Sequence, residues 1–164
     1  MINIKQAKTV DAQTIKLLAE QIWWPTYNTI LEKEQIRFML DLFYAENKLE
    51  EQIETGQQIF YILLENDTPV AFAALSTDQE NAELAVLEKI YCLPETQGKG
   101  YGKLLIATVE NEASQMGKHV LQLYVHRKNP AKNFYEKMNF MVIKEVDRPL
   151  DKYLLTDFVM QKEL

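Results

Sequence analysis

Residues 87–105 read LEKIYCLPETQGKGYGKLL: an apolar strand, a short turn, and a glycine-rich entry into an amphipathic helix. Gln97, Gly98, Lys99, Gly100, Tyr101, Gly102 and Lys103 are the chemically loaded part. The first N–H groups of a helix have no partner within the helix and carry the positive end of its dipole. Glycines at that point remove the side chains that would hold an anion away, so the segment is a candidate diphosphate cradle. Two commoner phosphate loops do not fit. A Walker loop needs four residues between its first glycine and a Gly-Lys pair followed by Ser or Thr. Here Gly98 and Gly102 enclose three, and Leu104 follows Lys103. The dinucleotide pattern G-x-G-x-x-G fails because Gly98, Gly100 and Gly102 alternate. The plain alternative is a tight strand-to-helix turn that needs glycine for its backbone angles.

A second segment extends the pattern. Asn129-Pro-Ala-Lys-Asn-Phe134-Tyr135-Glu-Lys-Met-Asn139-Phe140 follows the glycine loop after an intervening helix and strand. Together, Q-x-x-G-x-G after IYCLP and N-x-A-x-x-F-Y-x-x-x-N-F resemble the two signature motifs of the GNAT superfamily of N-acetyltransferases, in family order and spacing. The resemblance covers residues 58–162, with the N-terminal part matching by layout. LEKIYC and the tail from Tyr153 to Met160 look similar to bacterial spermidine/spermine acetyltransferases. Asn139 departs from the glycine usual in the second motif, although asparagine tolerates the left-handed conformation. His126 departs from an asparagine common in close relatives.

The resemblance implies acetyl-coenzyme A as acyl donor and direct transfer to a primary amine, with a polyamine-like small molecule favoured. It implies that backbone groups of Ile90, Tyr91 and Cys92 pair with the pantetheine arm, and that an N–H near Cys92 faces the thioester oxygen. Residues 97–103 would hold the pyrophosphate, and Asn129 would reach the cofactor, or cap the helix at Pro130. Tyr135 would protonate the departing thiolate; spacing alone equally permits it to pack with Ala131, Phe134 and Met138. Glu88 is a candidate base for the amine, working through water, or an ordinary surface or salt-bridged carboxylate; His126 is a rival base because it titrates near neutrality. Strand alternation puts Glu88 on the face of Ile90 and Cys92. Cys92 as a nucleophile lacks an evident cationic partner, which favours an inert thiol. Trp23, Trp24 and Tyr27 offer a cation–π wall for an amine, or core. Glu20, Glu32, Glu34 and Asp41 add charge or form a solvated face.

Composition narrows the alternatives. The chain has 164 residues, 47% hydrophobic, enough for one domain (residues 1–164) with a sizeable core. Its net charge of −6 disfavours nucleic acid and favours a cationic small molecule. Coenzyme A is anionic, so its binding relies on local donors such as Lys99 and Lys103. No apolar run approaches the ~20 residues of a membrane span, and MINIKQAKTV lacks secretory character. One cysteine excludes an internal disulfide and a cysteine-based zinc site. No metal is expected, and a cytoplasmic setting is the default. Three classes stay open: an enzyme for small amines or protein N-termini, a non-catalytic acyl-coenzyme A sensor, and a glycine turn without ligand.

The elements that must position these groups are legible from periodicity. Residues 2–8 alternate as a strand, and Ile15, Leu18, Ala19 and Ile22 give a helix capped by Asp11 and ended by Pro25. Two shorter helices follow, around Ile36–Phe43 and Leu49–Ile53. Strands are expected at 58–65, 69–77 and 83–93, the first two joined by Asn66-Asp67-Thr68. A helix from Tyr101 to Met116, a strand at 120–125, a helix from Ala131 and strands at 141–146 and 153–162 complete the order. The β-αα(α)-βββ-α-β-α-β-β order predicts an α/β (α+β) fold, a central mixed, mostly antiparallel sheet flanked by helices. A homodimer through the C-terminal strands is compatible with it.

Overall fold

The computed structural model describes residues 1–164. Ile2–Gln6 (β1) leads through a 3-10 turn into Ala12–Tyr27 (α1), Lys33–Phe43 (α2) and Glu46–Thr55 (α3). Ile59–Glu65 (β2), Thr68–Thr77 (β3) and Leu84–Cys92 (β4) then form a meander. Tyr101–Gln115 (α4), Val120–His126 (β5), Ala131–Lys137 (α5), Met141–Leu150 (β6) and Tyr153–Glu163 (β7) complete the chain. All the strands join one sheet in the order β1-β2-β3-β4-β5-β7-β6, with β4–β5 the parallel pair. This is the mixed, mostly antiparallel architecture expected.

Antiparallel partners share a face, and this sorts the strand residues between two helical layers. Phe60, Ala74 and Lys89 form one cross-strand row, and Phe72 pairs with Tyr91 beside it. The rings of Trp23 and Tyr27 on α1 pack at 5.8 and 6.4 Å from that of Tyr91, so this face lies under α1–α3. Tyr61, Ala73, Ile90 and Cys92 occupy the other face, where Tyr61 meets Glu112 of α4.

Two irregularities of β4 matter most. Ala74 pairs with Lys89 but Leu75 with Leu87, leaving Glu88 as the extra residue of a β-bulge. The β4–β5 ladder runs only from Leu84↔Val120 to Val86↔Gln122. Past the bulge, β5 pairs with β7 alone, through Leu123↔Met160 to His126↔Asp157. The two parallel strands therefore splay apart, and the β5-facing edge of β4 from Leu87 to Cys92 has no strand beside it.

Several boundaries differ from expectation. Asp11 does not cap α1; its carboxylate accepts the Lys8 N–H at 2.8 Å and the Lys5 ammonium at 3.0 Å, closing the 3-10 turn ahead of the helix. Pro25 lies inside α1 rather than ending it. The last turn survives because Trp23 and Tyr27 are both buried, with rings 4.7 Å apart, and the Asn28 N–H reaches the Trp24 carbonyl at 3.0 Å. β6 extends to Leu150 through Pro149, which a sheet-edge strand tolerates. The β2–β3 turn is the two residues Asn66 and Asp67, with φ of 49° and 67°, and Thr68 already belongs to the strand. Asn139 takes the expected left-handed conformation, φ 73°.

Candidate functional site

The splayed edge of β4 points to the start of α4, and between them lies the glycine turn. Gly98 and Gly100 have φ of 86° and 84°, and a Cβ added at either would meet nothing within 4 Å. The turn is thus open as well as left-handed. No side chain caps α4, so its first N–H groups face that opening. Gly102 differs: a Cβ there would stand 3.2 Å from Phe134 Cζ, so this glycine lets α4 pack against α5. Thr96 is buried and donates to the Leu93 carbonyl at 2.8 Å, and Gln97 Nε2 reaches the Cys92 carbonyl at 3.5 Å. Both tie the turn to the end of β4.

The lysines of the loop are not equivalent. Lys99 Nζ pairs with Glu65 at 3.0 Å, and the Tyr101 hydroxyl donates to the same carboxylate. Those two donors hold Glu65 below the usual carboxylate range, and the carboxylate raises the Tyr101 phenol to about 12. Lys103 is exposed. A carboxylate from the far end of β2 therefore adjoins the glycine turn and engages one of the cations expected to serve an anion.

On the α1 face, four phenols converge. The hydroxyls of Tyr27 and Tyr91 are 2.9 Å apart. Tyr44, at the end of α2, stands edge-on to Trp23 at 5.7 Å, and Tyr135 of α5 completes the group from the other side of the opening. Tyr27, Tyr44 and Tyr135 are buried, at 9% exposure or less, and Tyr91 is partly buried against them. Burial pushes the Tyr27, Tyr91 and Tyr135 phenols above their ordinary value, so each stays protonated. Burial also pushes the Cys92 thiol up to about 11. Asn129 Oδ1 accepts the Ala131 N–H at 2.9 Å, the capping role, while its side chain faces the Tyr27 hydroxyl.

The bulge corrects the expected direction of Glu88. Its carboxylate accepts from Ser76 Oγ at 2.7 Å, and Ser76 pairs with Val86 on the Phe72–Tyr91 face. Glu88 is therefore on the α1 side of the sheet, not with Ile90 and Cys92. The extra residue cancels one alternation, which the sequence pattern does not reveal. Lys89, unremarked in the sequence, lies beside it with Nζ 5.6 and 5.4 Å from the Tyr44 and Phe60 rings and 2.6 Å from Gln58 Oε1. Burial lowers its ammonium to about 8. His126 accepts the Lys128 N–H on Nδ1 at 3.1 Å and meets Thr156 through Nε2 at 3.5 Å. Burial also lowers its pKa, so a neutral imidazole locks the turn after β5.

Trp23 and Trp24 separate. Trp23 joins the phenols, whereas Trp24 lines an open cleft of about 680 Å³ with Phe38, Tyr153, Glu34 and Asp151. Arg37 lies 6.0 Å over the Trp24 ring and pairs with Glu20 and Asp41. Those two carboxylates and that ring face are thereby already engaged, which fits the solvated helix face, one of the two readings of Glu20 and Asp41. Lys33 and Lys152 share the cleft rim. Glu65, Tyr44 and Lys89 are residues to which sequence reading gave no role, and Tyr153 entered only as the start of the C-terminal tail.

Comparison with known proteins supplies the chemistry of this arrangement. Residues 18–140 match the model of the acetyltransferase (GNAT) family. A spermidine N(1)-acetyltransferase of Thermoplasma acidophilum is 29% identical, over 99% of this chain and 97% of its own. The crystal structure of the PaiA N-acetyltransferase from Thermoplasma acidophilum in complex with coenzyme A superposes with a TM-score of 0.85 at 28% identity, over 100% of this chain and 99% of that one. A [ribosomal protein bS18]-alanine N-acetyltransferase of Haemophilus influenzae is 36% identical over 48% of this chain and 51% of its own. With the splayed strands, the open glycine turn and both motifs in place, the chain belongs to the GNAT family and is an N-acetyltransferase that uses acetyl-coenzyme A.

Proposed function

We propose that the acceptor is a small polyamine-like primary amine and that the acetyl group passes to it directly in a ternary complex. The observation that carries the mechanism is the splay of β4 from β5, which leaves a strand edge open between the glycine turn and the buried phenols. In this reading the pantetheine arm lies along Ile90–Cys92 as an added strand, and the pyrophosphate meets Gly98, Gly100 and the N–H groups opening α4. An N–H near Cys92 faces the thioester oxygen and stabilises its negative charge in the tetrahedral intermediate. Glu88, on the α1 side, removes the ammonium proton through water, since a protonated amine has no lone pair to attack with. Tyr135, kept protonated by burial, gives its proton to the thiolate sulfur. Cys92 forms no acyl intermediate. A cytoplasmic setting belongs to the same reading.

The polyamine assignment rests on the relative named as a spermidine N(1)-acetyltransferase, the net charge of −6 and a cleft with aromatic walls and the carboxylates Glu34 and Asp151. Lys33 and Lys152 on the same rim support a second reading, a peptide N-terminus whose carboxylates they would pair with. Comparing kcat/KM for spermidine, spermine, free amino acids and short peptides tests the choice. A preference for polyamines supports the first reading. A preference for peptides replaces it with the second.

A further inference from the structure

The acetyl transfer proposed above removes two protons from the acceptor nitrogen, the first to Glu88 before attack and the second from the tetrahedral adduct, and delivers one to sulfur. Tyr135 can deliver a proton once, and must then recover it inside a buried cluster. The Tyr27 and Tyr91 hydroxyls, 2.9 Å apart, both feel the Tyr135 phenol electrostatically; each can give and take a proton, and their bond can be polarised in either direction. We propose that the Tyr27–Tyr91 hydroxyl pair is a proton path that returns the acceptor's proton to Tyr135 during each turnover.

Three further observations support the path. The pair bridges the right elements: Tyr27 is on α1, which borders the acceptor side, and Tyr91 is on β4, along the open strand edge. Asn129, at the start of the segment that carries Tyr135, faces the Tyr27 hydroxyl and so joins the pair to α5. Beside the pair, the Trp23 indole N–H and the Tyr44 hydroxyl are buried, at 4% and 1% exposure, facing each other without a well-formed hydrogen bond. Buried polar groups are normally satisfied, so this loosely paired couple leaves room for one further polar group, such as the amine or one water. Burial also keeps every phenol of the cluster protonated, so each can accept a proton on oxygen only while releasing its own.

The step balances. The amine nitrogen bonds to the thioester carbon, giving a tetrahedral adduct with a positive nitrogen. Its proton passes to one hydroxyl of the pair as the other releases its own toward Tyr135. Tyr135 gives its proton to sulfur as the carbon–sulfur bond breaks. The products are the acetamide and free coenzyme A, and all three phenols end as they began.

Two measurements test the path. The first is a proton inventory of the wild-type protein with acetyl-coenzyme A and the amine it acetylates best, in mixtures of light and heavy water. A curved dependence, from more than one proton in flight, is expected; a linear one overturns the path. The second compares Tyr27→Phe, Tyr91→Phe and the double variant, which keep the rings and lose only the hydroxyls. Each is expected to lower kcat by roughly tenfold with acetyl-coenzyme A affinity unchanged. The double variant should be no worse than either single one, as members of one path are not additive. Unchanged kcat, additive losses, or a loss confined to the amine KM overturns the path. Absence of wild-type turnover with every amine overturns the acceptor reading as well, whereas normal turnover with a linear inventory overturns only the path.

Discussion

Gly102 of the first motif and Phe134 of the second are in contact: a Cβ on the glycine would stand 3.2 Å from Phe134 Cζ. The two motifs are therefore one packed unit, in which the start of α4 sets the position of α5 and of Tyr135 beside Phe134. Replacing Gly102 by alanine gains about 1 kcal/mol of helix propensity. It also pushes the half-buried Phe134 ring by a few tenths of an ångström. Gly102→Ala is expected to leave the melting temperature nearly unchanged while lowering kcat several-fold. Gly100→Ala, at φ 84°, is expected to lose melting temperature through backbone strain and, as part of the proposed pyrophosphate cradle, to weaken acetyl-coenzyme A binding. Equal effects of the two variants on stability and rate would contradict this division.

In the proposed mechanism Glu88, turned toward α1 by the bulge, receives the ammonium proton of the acceptor. Glu88→Gln keeps an oxygen for the Ser76 hydroxyl and removes the basicity. It should lower kcat/KM about a hundredfold at neutral pH, with the loss shrinking as the amine deprotonates at higher pH. A pH-independent loss would assign Glu88 a structural role.

How much of this was legible in the sequence follows from the range of the interactions. The open glycine turn and the left-handed Asn139 are local, and their residue types announced them. The direction of Glu88 was not, because a bulge is a mismatch between two strands: Ala74 and Leu75 of β3 decide it, not β4 alone. Glu65 reaches Lys99 across 34 residues and Tyr101 across 36, so nothing near the loop revealed it. Pro25 misled because buried anchors on both sides, Trp23 and Tyr27, outweigh one lost helical hydrogen bond.

Lys89 carries a pH signature in stability. Its folded pKa of about 8 lies below the ordinary 10.5, so between those values the unfolded chain binds more proton. Stability therefore rises with pH across that window, and the cost of the charged lysine is complete below it. That cost is about 3 kcal/mol from the size of the shift. Lys89→Met should melt several degrees above the wild type near neutrality, an advantage that fades toward about pH 10. Thermal melts across that range would contradict the assignment if the gap stayed constant.

Cys92 ends β4 at its unpaired edge and is held as a thiol, with its pKa pushed up to about 11 by burial. Its alkylation by iodoacetamide at neutral pH should run about two orders of magnitude slower than that of a free cysteine, whose pKa is about 8.5. Cys92→Ser should retain acetyl transfer within a few-fold. A labelled acyl-cysteine trapped on the wild type, or an inactive serine variant that is folded, would establish a covalent route instead.

The account stands most directly on Tyr135. The measurement is coenzyme A thiol release from acetyl-coenzyme A with spermidine, for the wild type and Tyr135→Phe side by side, with acetyl-coenzyme A binding measured on both. The prediction is amine-dependent release by the wild type, at least about tenfold slower release by the variant, and equal affinity for acetyl-coenzyme A. Equal rates for the two proteins, or no release by the wild type with any amine, would contradict it.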